Sequence, residues 1–253
     1  MASRSRIGAA QRDFPFYDGH PVGLTPGGWG LVLLGCLLGF VALLTTGLLL
    51  PGQTGRWASV FLFLGLPLAG LRLAAGPQWA DLFPPLTWRD VWIGLAFVPV
   101  TFGVSVAVAL IVSRMGVTTS NPAVSLIADL NGWELAIFAA STLPQLLGEE
   151  LVTILPFLAL LALFTRWLRT KQRTAVVAAW LLSALLFGAL HLSTYGWNLA
   201  QAFGIIAVAR LCLSAPFLIT KSIWSSTITH VTHDWVTFGL VLVLGATALD
   251  GAV

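Results

Sequence analysis

Charge is what this sequence most lacks. Only 9% of its 253 residues are Asp, Glu, Lys or Arg, whereas 57% are hydrophobic. A water-soluble domain carries roughly 25% charged residues, so most of this surface does not face water. Thirteen Lys/Arg against ten Asp/Glu leave a net charge of +3, too small and too scattered for a nucleic-acid patch, and nucleic acid is excluded as a partner. The two cysteines, Cys36 and Cys212, sit inside apolar runs without metal-type spacing, which argues against a disulfide framework. No cleavable signal peptide is expected from the pattern either. Residues 1–28 hold Arg4, Arg6 and Arg12 but no early apolar stretch, and they read as a short, disordered cytoplasmic tail. No internal repeat is visible.

Long apolar runs are what the chain has in abundance. About 20 apolar residues span a bilayer as a helix, because only a helix satisfies its own backbone inside lipid. The runs are Trp29–Leu50, Ala58–Ala75, Val91–Val112, Leu135–Phe164, Thr174–Leu192, Ala202–Thr220 and Ile223–Ala248. They predict an all-α fold: a polytopic transmembrane helical bundle of about seven spans, with six to eight allowed. The fourth run contains Pro144 and Pro156, where it could bend or split. Trp29, Trp57, Trp88, Trp133, Trp167, Trp197 and Trp224 fall near run ends, where an indole sits among headgroups. Residues 76–90, rich in Pro and Trp, read as an interfacial segment.

Orientation comes from the cations. Arg166, Arg169, Lys171 and Arg173 crowd one short loop, which the positive-inside rule places in the cytoplasm together with the N-terminal tail. Three crossings carry the chain out before the fourth run returns it to that loop.

Ionisable residues inside the runs gather in three places: Glu149 and Glu150 in the fourth, His191 at the end of the fifth, and His230, His233 and Asp234 in the last. Each charge costs at least ~2.5–3.5 kcal/mol at the bilayer centre on insertion scales, so such residues serve a function or have a partner. His230 and Asp234, four apart, share a helix face with His233 beside them. Glu149 and Glu150 diverge by about 100°, so only one of them points squarely into a shared cavity. A carboxylate pair, histidines and an aspartate on three helices suffice for acid–base or metal-assisted hydrolysis. A helix-bonding histidine or a transporter's proton site remains the plain alternative for any one cluster alone.

The three clusters also carry a resemblance. Glu149-Glu150-Leu-Val-Thr-Ile154, then Phe187-Gly-Ala-Leu-His191, then His230-Val-Thr-His-Asp234 are similar to the Glu-Glu-x-x-x-Arg, Phe-x-x-x-His and His-x-x-x-Asn motifs of the CAAX-protease and bacteriocin-processing (CPBP) family of intramembrane proteases. The likeness covers roughly residues 135–240. It divides the chain into a tail (1–28), N-terminal transmembrane helices (29–130) and a catalytic transmembrane core (131–248). It implies that Glu149 acts as general base on a water that His191 helps to position. His230 and Asp234 would stabilise the oxyanion, or His230 would protonate the leaving amine, and Glu150 would support the site.

No cofactor is expected on this reading, although two His and one Glu also make a zinc ligand set. The expected partners are the lipid bilayer and a membrane-associated or lipidated protein substrate. The expected compartment is a bacterial plasma membrane. Two residues depart from the family pattern. Ile154 stands where the family has an arginine, which points to a divergent enzyme, a substitute cation such as Arg210, or a non-catalytic relative of immunity or transporter type. Asp234 stands where asparagine is commoner, and an ionised aspartate cannot donate to an oxyanion.

Overall fold

A computed structural model describes residues 12–116 and 118–244. Its regular elements are helical throughout: α1 (Pro26–Leu49), α2 (Gly52–Ala75), α3 (Trp88–Ser113), α4 (Pro122–Ala128), α5 (Gly132–Ala162), α6 (Gln172–Leu190), α7 (Ala207–Thr220) and α8 (Ile223–Leu244). Short 3-10 or π-helical turns extend α2 through Leu82, extend α5 through Trp167 and precede α7 from Ala200. Six of these helices are long and apolar enough to cross a membrane, so the chain is an integral membrane protein. The seventh expected run forms α8, whose polar residues keep it off that count. Positions 245–248 of that run lie outside the described residues.

Local chemistry sets the helix ends. The Thr25 hydroxyl accepts from the Gly28 amide at the start of α1. Thr87 and Asp90 form a reciprocal cap on α3, as do Asn131 and Glu134 on α5, each satisfying backbone donors that a helix start leaves unpaired. Pro144 and Pro156 lie inside α5, which runs on through both without splitting.

The helices alternate in direction, giving the bundle two ends. We call the end that holds the starts of α1, α3, α6 and α8 the first end, and the opposite one the second end. Cross-contacts fix the pairing. Gly94 packs on Ser225 and Ile228 while Phe102, further along α3, meets His233, further along α8, so α3 and α8 run parallel. Glu150 meets His230 while Thr142 meets Trp235, so α5 and α8 run antiparallel. Gly35 of α1 lies so near α2 that an added Cβ would stand 2.6 Å from the Leu66 carbonyl oxygen.

The first end is sealed by the chain's own N-terminal segment, which corrects the expectation of a disordered tail for residues 12–25. The first eleven residues lie outside the described chain. Phe14, Phe16, Tyr17 and Leu24 are buried. The Phe14 ring packs on Phe157 of α5 and Phe217 of α7, with the Lys221 ammonium 3.8 Å from its centroid. Arg12 donates to both oxygens of the buried Asp90 at 3.0 Å and to the Pro85 carbonyl. Gln172 donates to the Tyr17 hydroxyl, and Arg166 to the Leu24 carbonyl. Aromatic residues scattered among polar ones make no hydrophobic run, yet each removes 150–250 Å² from water when it finds a pocket. Burial lowers the Lys221 ammonium below its ordinary pKa.

Candidate active site

The ionisable residues of the spans converge where α5, α6, α7 and α8 meet. Glu150 is wholly buried, and one of its oxygens, Oε1, takes two charged partners. Arg210 of α7 donates to it at 2.7 Å, and His230 of α8 lies 2.9 Å away through Nδ1. Arg210 is itself fully buried, with its guanidinium carbon 5.0 Å from the centre of the Phe187 ring of α6. Four helices are thereby tied at one ion pair. A buried carboxylate is tolerated in such surroundings only when its charge is matched and bonded.

Ile154 occupies the turn after Glu150, 1% exposed in the apolar core. No cation reaches Glu150 from its own helix. The charge comes instead from Arg210 of α7, the substitute cation that the sequence offered as one of three explanations for Ile154.

This ion pair fixes the chemistry of His230. Its Nδ1 faces a carboxylate, so that nitrogen carries the proton and donates it. The Arg210 Nη1, 3.3 Å from the same nitrogen, then shares Glu150 with it rather than bonding to it. The opposite nitrogen, Nε2, is left between two further carboxylates, 3.7 Å from Glu149 Oε2 and 3.8 Å from Asp234 Oδ2. Both gaps exceed a direct hydrogen bond and are of the kind that a bridging water spans.

Glu149 is mostly buried and accepts a 3.3 Å hydrogen bond from Gln145, one turn earlier on α5. Asp234 accepts from His233 Nδ1 at 3.1 Å through Oδ1, leaving Oδ2 toward His230. Bonded in this way, Asp234 acts as an acceptor that orients two imidazoles. His233 therefore lies within the cluster, beside Asp234.

His191 caps the C-terminus of α6. Its Nδ1 lies 2.8 Å from the Phe187 carbonyl, which can only accept, so Nδ1 carries the proton and Nε2 remains an acceptor. Its ring lies tilted by 40° against Phe187 at 4.4 Å and within 26° of the plane of Tyr195 at 6.5 Å. Tyr195 is buried in the loop after α6. Burial foremost, then the Asp234 and Glu149 carboxylates, push its phenol above the ordinary value, so it stays protonated.

Glu149, His191, His230 and Asp234 all line one cavity of about 550 Å³, whose remaining wall is largely apolar and draws on all eight helices. Among the described residues, Arg56 of α2 is the only Lys or Arg in the lining, with its guanidinium 5.5 Å from the Phe138 ring. Gly148, next to the glutamates, admits Phe63 of α2, which an added Cβ would meet at 2.6 Å. The structure thus brings four of the five sequence-selected residues to one cavity and sets Glu150 behind His230. Gln145 and Tyr195 also belong to the site. A Gln four residues before Glu149 was legible as a same-face neighbour, whereas Tyr195 had no signal beyond its distance from His191. Among the described residues, no three His, Cys, Asp or Glu side chains are grouped as a metal ligand set.

Residues 131–236, under half of the chain, match the family model for type II CAAX prenyl endopeptidase, Rce1-like. No curated protein and no solved structure matches the chain.

Proposed function

We propose, from the match of residues 131–236 to the type II CAAX prenyl endopeptidase, Rce1-like, family model, that the chain is an intramembrane endopeptidase using a glutamate-activated water. The observation that carries this reading is the placing of Glu149, His191 and the cavity-facing Nε2 of His230 around one cavity within the helical bundle. Glu149 takes a proton from the water as its oxygen adds to the substrate's carbonyl carbon, and the His191 Nε2 holds that water in line. The tetrahedral oxyanion forms near His230, which as an imidazolium keeps its Nδ1–H on Glu150 and donates its Nε2–H to the oxyanion. The C–N bond then breaks, the proton held by Glu149 passes to the leaving amine, and an acid and an amine result. Glu150 and Arg210 hold His230 in place from behind.

Zinc is left out of these steps, because His230 directs Nδ1 to an ion pair and its other nitrogen stands between carboxylates. Metal content of protein purified without chelator tests that choice, and a stoichiometric ion lost in His191→Ala would replace the metal-free scheme. Membrane-associated or lipidated polypeptides are the proposed substrates, and a bacterial plasma membrane the proposed compartment.

The decisive experiment is cleavage of lipidated and membrane-anchored peptides by purified wild-type protein and Glu149→Ala, with equal folding checked by thermal unfolding. The expected result is cleavage by the wild type alone, since loss of a general base lowers rates about 10²–10⁴-fold. Equal cleavage by both would dismiss Glu149 as the base. Ile154 favours a second reading, a relative without protease activity. Failure of both proteins on every substrate type would favour that reading over ours.

A further inference from the structure

The two ends of the bundle differ in charge. Of the Lys/Arg among the described residues, Arg12, Arg72, Arg89, Arg166, Arg169, Lys171, Arg173 and Lys221 lie at the first end. Only Arg56 and Arg114 lie at the second, and Arg210 is buried between them. Eight against two is a strong bias, and short connections rich in Lys/Arg remain on the cytoplasmic side of a membrane. The first end is therefore cytoplasmic.

The cavity belongs to the other end. Helices α1 around Phe40–Leu44, α2 around Arg56–Phe63 and α3 around Phe102–Val106 contribute their second-end halves, while α5 contributes from Phe138 to Val152, just past its middle, and α8 from His230 to Phe238. Helix α4, Thr194 and Tyr195 complete the rim, all in second-end connections. None of the cavity residues comes from the connections of the first end, where the N-terminal segment, Phe157 and Phe217 close the bundle. His230 lies seven residues into α8, about 10 Å along its axis from the first end, and the open space runs from there away from the cytoplasm.

We infer that the cavity opens on the extracytoplasmic side and receives exported polypeptides held at the outer leaflet, rather than the cytoplasmic tails of proteins lipidated inside the cell. The choice of substrate rests on the protease reading above; the orientation does not. The cavity suits such a substrate, with an apolar wall for a membrane-embedded segment and one cation, Arg56, near its outer part.

The test is cysteine labelling in intact bacterial cells with a membrane-impermeant maleimide. Cys36 and Cys212 are replaced by Ala, and single cysteines are placed as Gln53→Cys, Thr194→Cys and Gln78→Cys. The first two positions lie at the second end, Thr194 on the cavity rim, and Gln78 lies at the first end; all three are exposed. Labelling of Gln53→Cys and Thr194→Cys before permeabilisation, and of Gln78→Cys only after it, is the expected result. The reverse pattern, or equal labelling of all three in intact cells, would overturn the orientation. A phosphatase active only after export, fused after Val253 of the otherwise unaltered chain, should be active, and an inactive, cytoplasmic fusion would count against it equally. Neither readout needs proteolysis, so a failed cleavage assay does not touch them. For the substrate, a reporter peptide anchored at the outer leaflet should be cut in cells carrying wild type and spared in cells carrying Glu149→Ala. Cutting of only a reporter anchored at the inner leaflet would overturn that part.

Discussion

The sealed end and the open end of this bundle are stabilised by different means. At the first end, aromatic packing and exposed or half-buried cations hold loops together, and the chemistry is that of an ordinary protein core. Around the cavity, carboxylates and imidazoles sit within lipid-depth helices, tolerated because each is matched by another polar group. The contrast separates folding from reaction along the length of the same helices. Phe157 and Glu150 are both on α5, yet one packs under the N-terminal segment and the other holds a histidine.

Substitutions can break or sharpen this division. The largest effect is expected at the open end. His191→Asn should lower turnover about 10²–10⁴-fold and leave the unfolding temperature in detergent unchanged; comparable turnover would remove His191 from the reaction.

Arg210, placed between the two regimes, should affect both. Arg210→Leu leaves Glu150 buried without its cation, at a cost of about 3–5 kcal/mol, seen as a lowered unfolding temperature together with lost cleavage. Adding Ile154→Arg restores a cation one turn from Glu150, and part of both losses should return. A double variant no better than Arg210→Leu would mean that the cation must come from α7. At the sealed end, Phe14→Ala should cost about 3 kcal/mol of stability while turnover per folded molecule holds. A specific loss of turnover there would show that the two ends are coupled.

The architecture was largely legible because lipid imposes length: the runs beginning at Trp29 and Val91 became α1 and α3 to within a few residues. The three polar clusters were legible for the same reason, since charge within an apolar run is conspicuous. Two things were not, or only in part. Phe14, Phe16 and Tyr17 stand among polar residues in a stretch without helical periodicity, and only their distant partners on α5, α6 and α7 order them. The Arg210–Glu150 bond was legible only as one of three explanations for Ile154, because it joins separate helices and no spacing along the chain encodes which buried cation meets which carboxylate. Ile154 made the first motif look incomplete because the charge had to be sought in another helix.

The Arg210–Glu150 pair also bears on how the protein is made. Neither α5 nor α7 can rest comfortably in lipid while its charge is unmatched, and α5 leaves the ribosome first. Glu150 gains its cation only from α7 and its imidazole partner only from α8, both made after it. The charge of an early helix is therefore matched entirely by the last two.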